Sequence, residues 1–172
     1  YIQHTPMHPD MVALAVELTT KAKDAGKRWY ADAELRALWN AGIQWNELAC
    51  IRVLMLTGQR VSVISGLEWD EIDWERGVIT IQAGKEKRSK ADKPHIIPMS
   101  STVIDIIRNI ERPVGRVHVF PTGRGGDADL AVGTKIQAAI QKTTSIMDYT
   151  HKHIRSIVTS RMRVEPLRDR KS

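Results

Sequence analysis

The sequence predicts an α+β fold, mainly α with a small antiparallel β-sheet. Three observations carry this. Apolar residues recur at helical spacing in several separate segments, from Leu35 through to Val158. Two short β-branched runs, residues 78–81 and 95–98, stand on either side of one charged stretch, which is a hairpin pattern. Gly58, Gly77 and Pro113 then break the chain between these segments.

Taken in order, residues 1–9 hold two prolines and read as an extended lead-in. Met11 to Ala25 has helical spacing through Val12, Ala15, Val16 and Leu18, with Lys21 and Lys23 near its end and Gly26 as its stop. Asp32 can cap a helix carrying Leu35, Leu38 and Trp39, which Gly42 ends. Trp45 to Thr57 is strongly apolar, with Leu48, Ile51, Leu54 and Met55 on its main face, and a helix of that kind is buried. After Thr57-Gly58, Val61, Ile64 and Leu67 return at helical spacing, and Ile72-Asp73 turns into a strand. Gly77 marks a turn before Val78-Ile79-Thr80-Ile81. Residues 84–94 form a charged loop, and Pro98 puts the second strand at a sheet edge or end. Ser101 to Glu111 is a helix with Val103, Ile104, Ile106, Ile107 and Ile110, closed by Pro113. A short extended piece follows at residues 117–121, then a Gly-rich loop at 122–129. Ala131 to Lys142 and Thr150 to Met162 are the last helices; the second turns Ile154, Ile157, Val158 and Met162 inward.

The chain has 172 residues and 42% hydrophobic content, enough for one domain with a real core. Its net charge of +6 and pI of about 9.6 favour a polyanionic partner, nucleic acid first. Cys50 is the sole cysteine, which leaves no disulfide framework and no cysteine metal cluster within the chain. Its apolar helix makes it a core thiol and suits a reducing compartment. No apolar run is long enough to span a bilayer, and no signal peptide is visible. The first residue is Tyr1, so a longer parent protein is expected.

Three stretches hold candidate chemistry. Arg60 stands at the break between two helices, where its fork can meet a phosphate or carboxylate; the plain alternative is a surface arginine at a helix end. The charged loop carries Lys85, Lys87, Arg88, Lys90 and Lys93, either a solvated hairpin tip or a phosphate-seeking loop. The last helix opens with His151, Lys152 and His153, followed by Arg155. Lys152 and Arg155 are three apart and share a face. His151 and His153 are two apart, which separates their faces and argues against a metal site.

Leu56-Thr-Gly-Gln-Arg60, Gly66-Leu-Glu-Trp69 and Ile72-Asp73 resemble the first arginine box of the tyrosine recombinases, the phage-integrase family. Ser89-Lys90 through His95-Ile-Ile-Pro98-Met-Ser100 resembles that family's hairpin element, and His151 to Arg155 its second arginine box. The resemblance spans roughly residues 27–166, and three positions depart from it. Val63 stands where the family has an acidic residue, Lys152 stands where it has a histidine, and no tyrosine follows Arg155.

The resemblance implies a recombinase catalytic domain over residues 27–172, C-terminally incomplete. Residues 1–26 would be a lead-in from an N-terminal DNA-binding domain. It implies site-specific recombination or integration of double-stranded DNA without a metal or other cofactor. Arg60 and Arg155 would hold the phosphodiester oxygens, with Lys152 beside them. Lys90 would protonate the leaving 5′ oxygen, with Lys85 and Lys87 as rivals in the same loop. Lys85, Lys87, Arg88, Lys93, His151 and His153 would contact DNA. In the complete protein a tyrosine would attack phosphorus, and four copies would assemble on DNA. The 172-residue chain is expected to be inactive alone, monomeric off DNA, cytoplasmic and free of membrane. Two other readings stay open: a non-catalytic DNA-binding remnant of an integrase, and an unrelated basic domain that binds acidic protein.

Overall fold

Four of the described helices pack around one other helix. The structure, a computed structural model, describes residues 30–83, 93–121 and 133–164, with side chains as far as residue 158. Helix α1, Asp32–Trp39, precedes it and turns Leu38 and Trp39 inward. The sequence points to Asp32 as the cap, but the N-cap residue is Ala31. The carboxylate of Glu34 accepts from its backbone N–H at 2.8 Å, so a residue three positions on does the work assigned to Asp32.

Helix α2, Trp45–Thr57, is the central element. Leu48 through Met55 are all buried, eight residues in a row. That needs protein on every side, and α2 is packed by α1, by the two helices that follow it and by the last helix of the chain. Arg52 is the one charged residue in the run. It is accommodated because its Nε donates to the Trp39 carbonyl at 2.9 Å. Its guanidinium also lies 4.9 Å from the Trp39 ring centre and 5.5 Å from that of Trp45. Gly58 closes α2 in the left-handed conformation, φ 62°, with its N–H on the Leu54 carbonyl at 2.9 Å. A side chain at that φ is disfavoured, which accounts for the glycine.

Helix α3, Val61–Ser65, follows Arg60, which occupies the N-cap position in extended backbone. One turn of 3₁₀ helix, Trp69–Glu71, leads into the sheet. Strands β1 (Ile72–Asp73), β2 (Val78–Ile81) and β3 (His95–Pro98) lie in the order β1-β2-β3, all antiparallel. Ile72 pairs with Ile79, and Ile81 with His95. Alternation sends Ile79, Ile81 and Ile97 into the core. The tight turn between β1 and β2 uses Gly77 at φ 63°, and the Arg76 N–H donates to the Asp73 carboxylate at 2.9 Å.

Helix α4, Ser101–Arg108, is capped by the Ser100 hydroxyl, which accepts from the Val103 N–H at 3.3 Å. It stops short of the expected Glu111, because the Asn109 side chain turns back to the Asp105 carbonyl at 2.8 Å. Residues 117–119 run extended against Leu67–Trp69 through two backbone bonds of 3.0 and 2.8 Å, placing Val119 and Phe120 in the core. Helix α5, Thr134–Thr144, runs past Lys142 and closes on Ser145 at φ 60°. Helix α6, His151–Val164, packs along α2. The Met11–Ala25 helix, the 122–129 loop, the hairpin tip and the Met162 side chain fall outside what is described.

Candidate functional site

Arg60 lies where α2 gives way to α3. Its backbone is fixed from both sides. Gly58 ends one helix, and the Arg60 carbonyl accepts from the Val63 and Ile64 N–H groups at 3.0 and 3.4 Å to begin the next. The side chain itself is exposed. The fixed backbone sets where the side chain starts, and a solvent-facing guanidinium can meet an anion with its fork of donors. Val63, on α3, is 2% exposed and belongs to the core. The family pattern's acidic residue is thus replaced by packing.

Arg155 lies on α6, half-buried, with its Nη1 nitrogen enclosed by protein. Lys152, three residues earlier, is exposed. α6, which carries Arg155, packs along α2, which ends at Thr57, three residues before Arg60. Lys93 is exposed just before β3. Lys85, Lys87, Arg88 and Lys90 lie outside the described residues. A depression lined by Asp70, Asp73, Trp74 and Glu75 carries the wrong sign for a phosphate.

The two histidines face inward to different degrees. His151 is 7% exposed, and the Tyr149 hydroxyl lies 2.7 Å from its Nδ1. Tyr149 is itself fully buried. His153 is half-buried, 3.3 Å from the Tyr30 hydroxyl. The Tyr30 and Tyr149 rings stack at 6.3 Å. The tyrosines therefore lock the start of α6 to the core. A signal for this was available, because His151 precedes Ile154 by three residues and so lies on the inward stripe. Helical spacing names the face, but a polar residue on it is easily read as exposed.

Burial lowers the His151 pKa from the ordinary imidazole value, and the nearby Gly133 backbone opposes this more weakly. Its enclosed Nε2 makes no hydrogen bond of good geometry. The unfolded chain takes up this proton near pH 6.5, and the fold only at lower pH. Between the two, the unfolded state binds more protons, so stability is complete above about pH 6.5 and falls as the pH drops from there. The urea midpoint is expected to decline from about pH 6.5 downward. His151→Asn, whose carbonyl can still accept from Tyr149, should decline less over the same range. Parallel curves for the two proteins would remove His151 as the cause.

One contact was not foreseen at all. The Nε2 of His95, the first residue of β3, lies 2.8 Å from the Oε1 of Gln59, the residue before Arg60. It joins the sheet to the arginine junction.

Residues 28–163 match the profile of the phage integrase family. This chain belongs to the phage integrase family. Tyrosine recombinase XerC of Xanthomonas campestris pv. campestris (strain B100) is 26% identical over 121 residues, covering 67% of this chain and 35% of XerC. Among solved structures, the Tn1549 transposon integrase in complex with transposon right-end DNA superposes with a TM-score of 0.63 at 18% identity, covering 81% of this chain and 54% of that one. The lambda integrase tetramer bound to a Holliday junction gives 0.57 at 16%, over 84% and 45%. At such identities the structural likeness speaks for the fold, which is that of a tyrosine-recombinase catalytic domain. This integrase-family chain spans about a third of the length of the XerC relatives and about half of these solved chains.

Proposed function

We propose that this chain is catalytic-domain sequence of a site-specific DNA recombinase, holding a scissile phosphodiester between Arg60 and Arg155. The observation that carries the reading is the packing of α6, which bears Arg155, along α2, which ends three residues before Arg60. Two arginines, one at the α2–α3 junction and one on α6, can neutralise the non-bridging oxygens as negative charge builds in the pentacovalent state. Lys152 adds a third cation on the same helix. Lys90 supplies a proton to the 5′ oxygen as its bond to phosphorus breaks. A tyrosine of the complete protein forms the new bond and conserves the energy for rejoining. Residues 1–26 connect to a DNA-gripping domain, and assembly into a tetramer occurs on DNA. The protein works on double-stranded DNA in the cytoplasm; among the described residues no helix is long and apolar enough to cross a membrane.

The test is affinity for a short labelled duplex as a function of salt. Each phosphate neutralised contributes about −0.9 to the slope of log affinity against log salt. Arg60→Ala and Arg155→Ala should each weaken binding across sequences and flatten the slope by about one contact. Binding that ignores salt, or arginine variants with the parental slope, would overturn the reading in favour of a non-DNA partner.

A further inference from the structure

We propose that Gln59 and His95 form a positioning pair that sets Arg60 for the phosphate. The proposal rests on the reading of Arg60 as a phosphate ligand given above.

Gly58 and Arg60 are tied by their backbones to α2 and α3, and Gln59 lies between them in neither helix. Gly58 is left-handed and Arg60 is extended, so the chain reverses its character within three residues. What fixes the middle residue is its side chain. The Gln59 amide nitrogen turns back toward the Thr57 carbonyl at 3.4 Å, and its oxygen accepts from the His95 Nε2–H at 2.8 Å. Thr57 is tied in turn, its hydroxyl donating to the Val53 carbonyl at 2.7 Å. Both polar ends of the Gln59 amide thus have a use, which also fixes which way round the amide lies.

The other end of the contact is equally anchored. His95 pairs with Ile81 in the β2–β3 ladder, and two residues on Ile97 enters the core opposite Ile79. Gln59 is therefore held to the sheet and not to another loop. Both side chains are half-buried, so water competes only in part for their bond. With its Nε2 proton engaged by Gln59, His95 is placed to act through the Arg60 junction. Gln59 and His95 are accordingly positioning residues, tying the junction before Arg60 to β3.

The test uses the 172-residue chain and a short fluorescein-labelled duplex, with anisotropy as the readout. Gln59→Met, close in shape but without the acceptor, should lose about three- to tenfold in affinity, the effect of one hydrogen bond. His95→Leu should do the same, and the double variant no more than either alone. In an Arg60→Ala background both losses should shrink to within about twofold, because the residue they position is gone. His95→Gln, whose amide nitrogen can reach the same oxygen, should keep the parental affinity. Circular dichroism checks each variant; if His95→Leu does not fold, Gln59→Met with and without Arg60 decides the matter. Equal losses with and without Arg60 would mean general damage and would overturn the proposal, as would His95→Gln behaving like His95→Leu. If Arg60→Ala alone leaves affinity and salt slope unchanged, the phosphate reading of Arg60 falls and the pair's role falls with it.

Discussion

Replacing Tyr149 by alanine is expected to cost about 3–5 kcal/mol of stability, the range for removing a large buried aromatic side chain. The residue is 0% exposed. Its ring stacks on Tyr30 at 6.3 Å and meets the edge of His151 at 5.1 Å, so alanine leaves a cavity bounded by two other aromatic rings. Surrounding side chains on α2 and α6 are already packed and can collapse only in part. Against a total of about 5–15 kcal/mol for an ordinary domain, this is a large fraction. Tyr149→Phe keeps the ring and loses only the hydroxyl, stranding the buried His151 nitrogen at a cost of about 1–3 kcal/mol. Urea denaturation separates the two variants. An alanine variant within about 1 kcal/mol of the parent would remove Tyr149 from the core.

The second large effect is all-or-none. The 172-residue chain, incubated with a nicked duplex that traps cleavage, is expected to give no covalent protein–DNA adduct. A tyrosine attacking phosphorus must reach it in line at about 3–3.5 Å. Tyr30 and Tyr149 are each 0% exposed, and each hydroxyl sits against a histidine. Burial, and then the charges of Tyr30 and Cys50, push the Tyr149 pKa above the ordinary phenol value, so the attacking phenolate is disfavoured as well as enclosed. The roles proposed for Arg60 and Arg155 would stabilise a transition state but would not supply its fifth oxygen. A denaturing gel with labelled DNA reads the result. A shifted band mapped to Tyr149 would show that the start of α6 opens on DNA, against the present reading of that cluster. If the encoding gene provides a tyrosine downstream, a chain extended to include it should form the adduct, and failure there would favour a DNA-binding remnant.

Much of this architecture could be read from the residues, and the exceptions share a cause. α2 was legible because eight consecutive buried positions leave an apolar run broken only by Arg52. The β2–β3 pair was legible because β-branched runs flank a charged stretch. Arg60 and Arg155 stood out through short motifs whose spacing matches a family. At the start of α6 the burial of His151 was not legible, because a histidine on an inward stripe carries no mark of its partner; Tyr149 lies outside the helix and its approach depends on the turn before it. The helix ends at Ala31 and Asn109 were displaced because side chains a few residues away compete for the same backbone groups. Gln59–His95 was invisible for a deeper reason: its partners are 36 positions apart, one between two helices and one on β3, and only tertiary packing brings them together.

The burial of Cys50 has a practical side. Its thiol is fully enclosed, and burial raises its pKa well above the usual thiol range. The folded chain is therefore unreactive toward maleimides and iodoacetamide, although it contains a cysteine. A second cysteine placed on an exposed position such as Ser62 or Lys93 would be the only handle a dye can find, with no need to delete the first. When the native thiol does react, it reports that α2 has left its neighbours, so alkylation at Cys50 is a built-in clock for opening of the core.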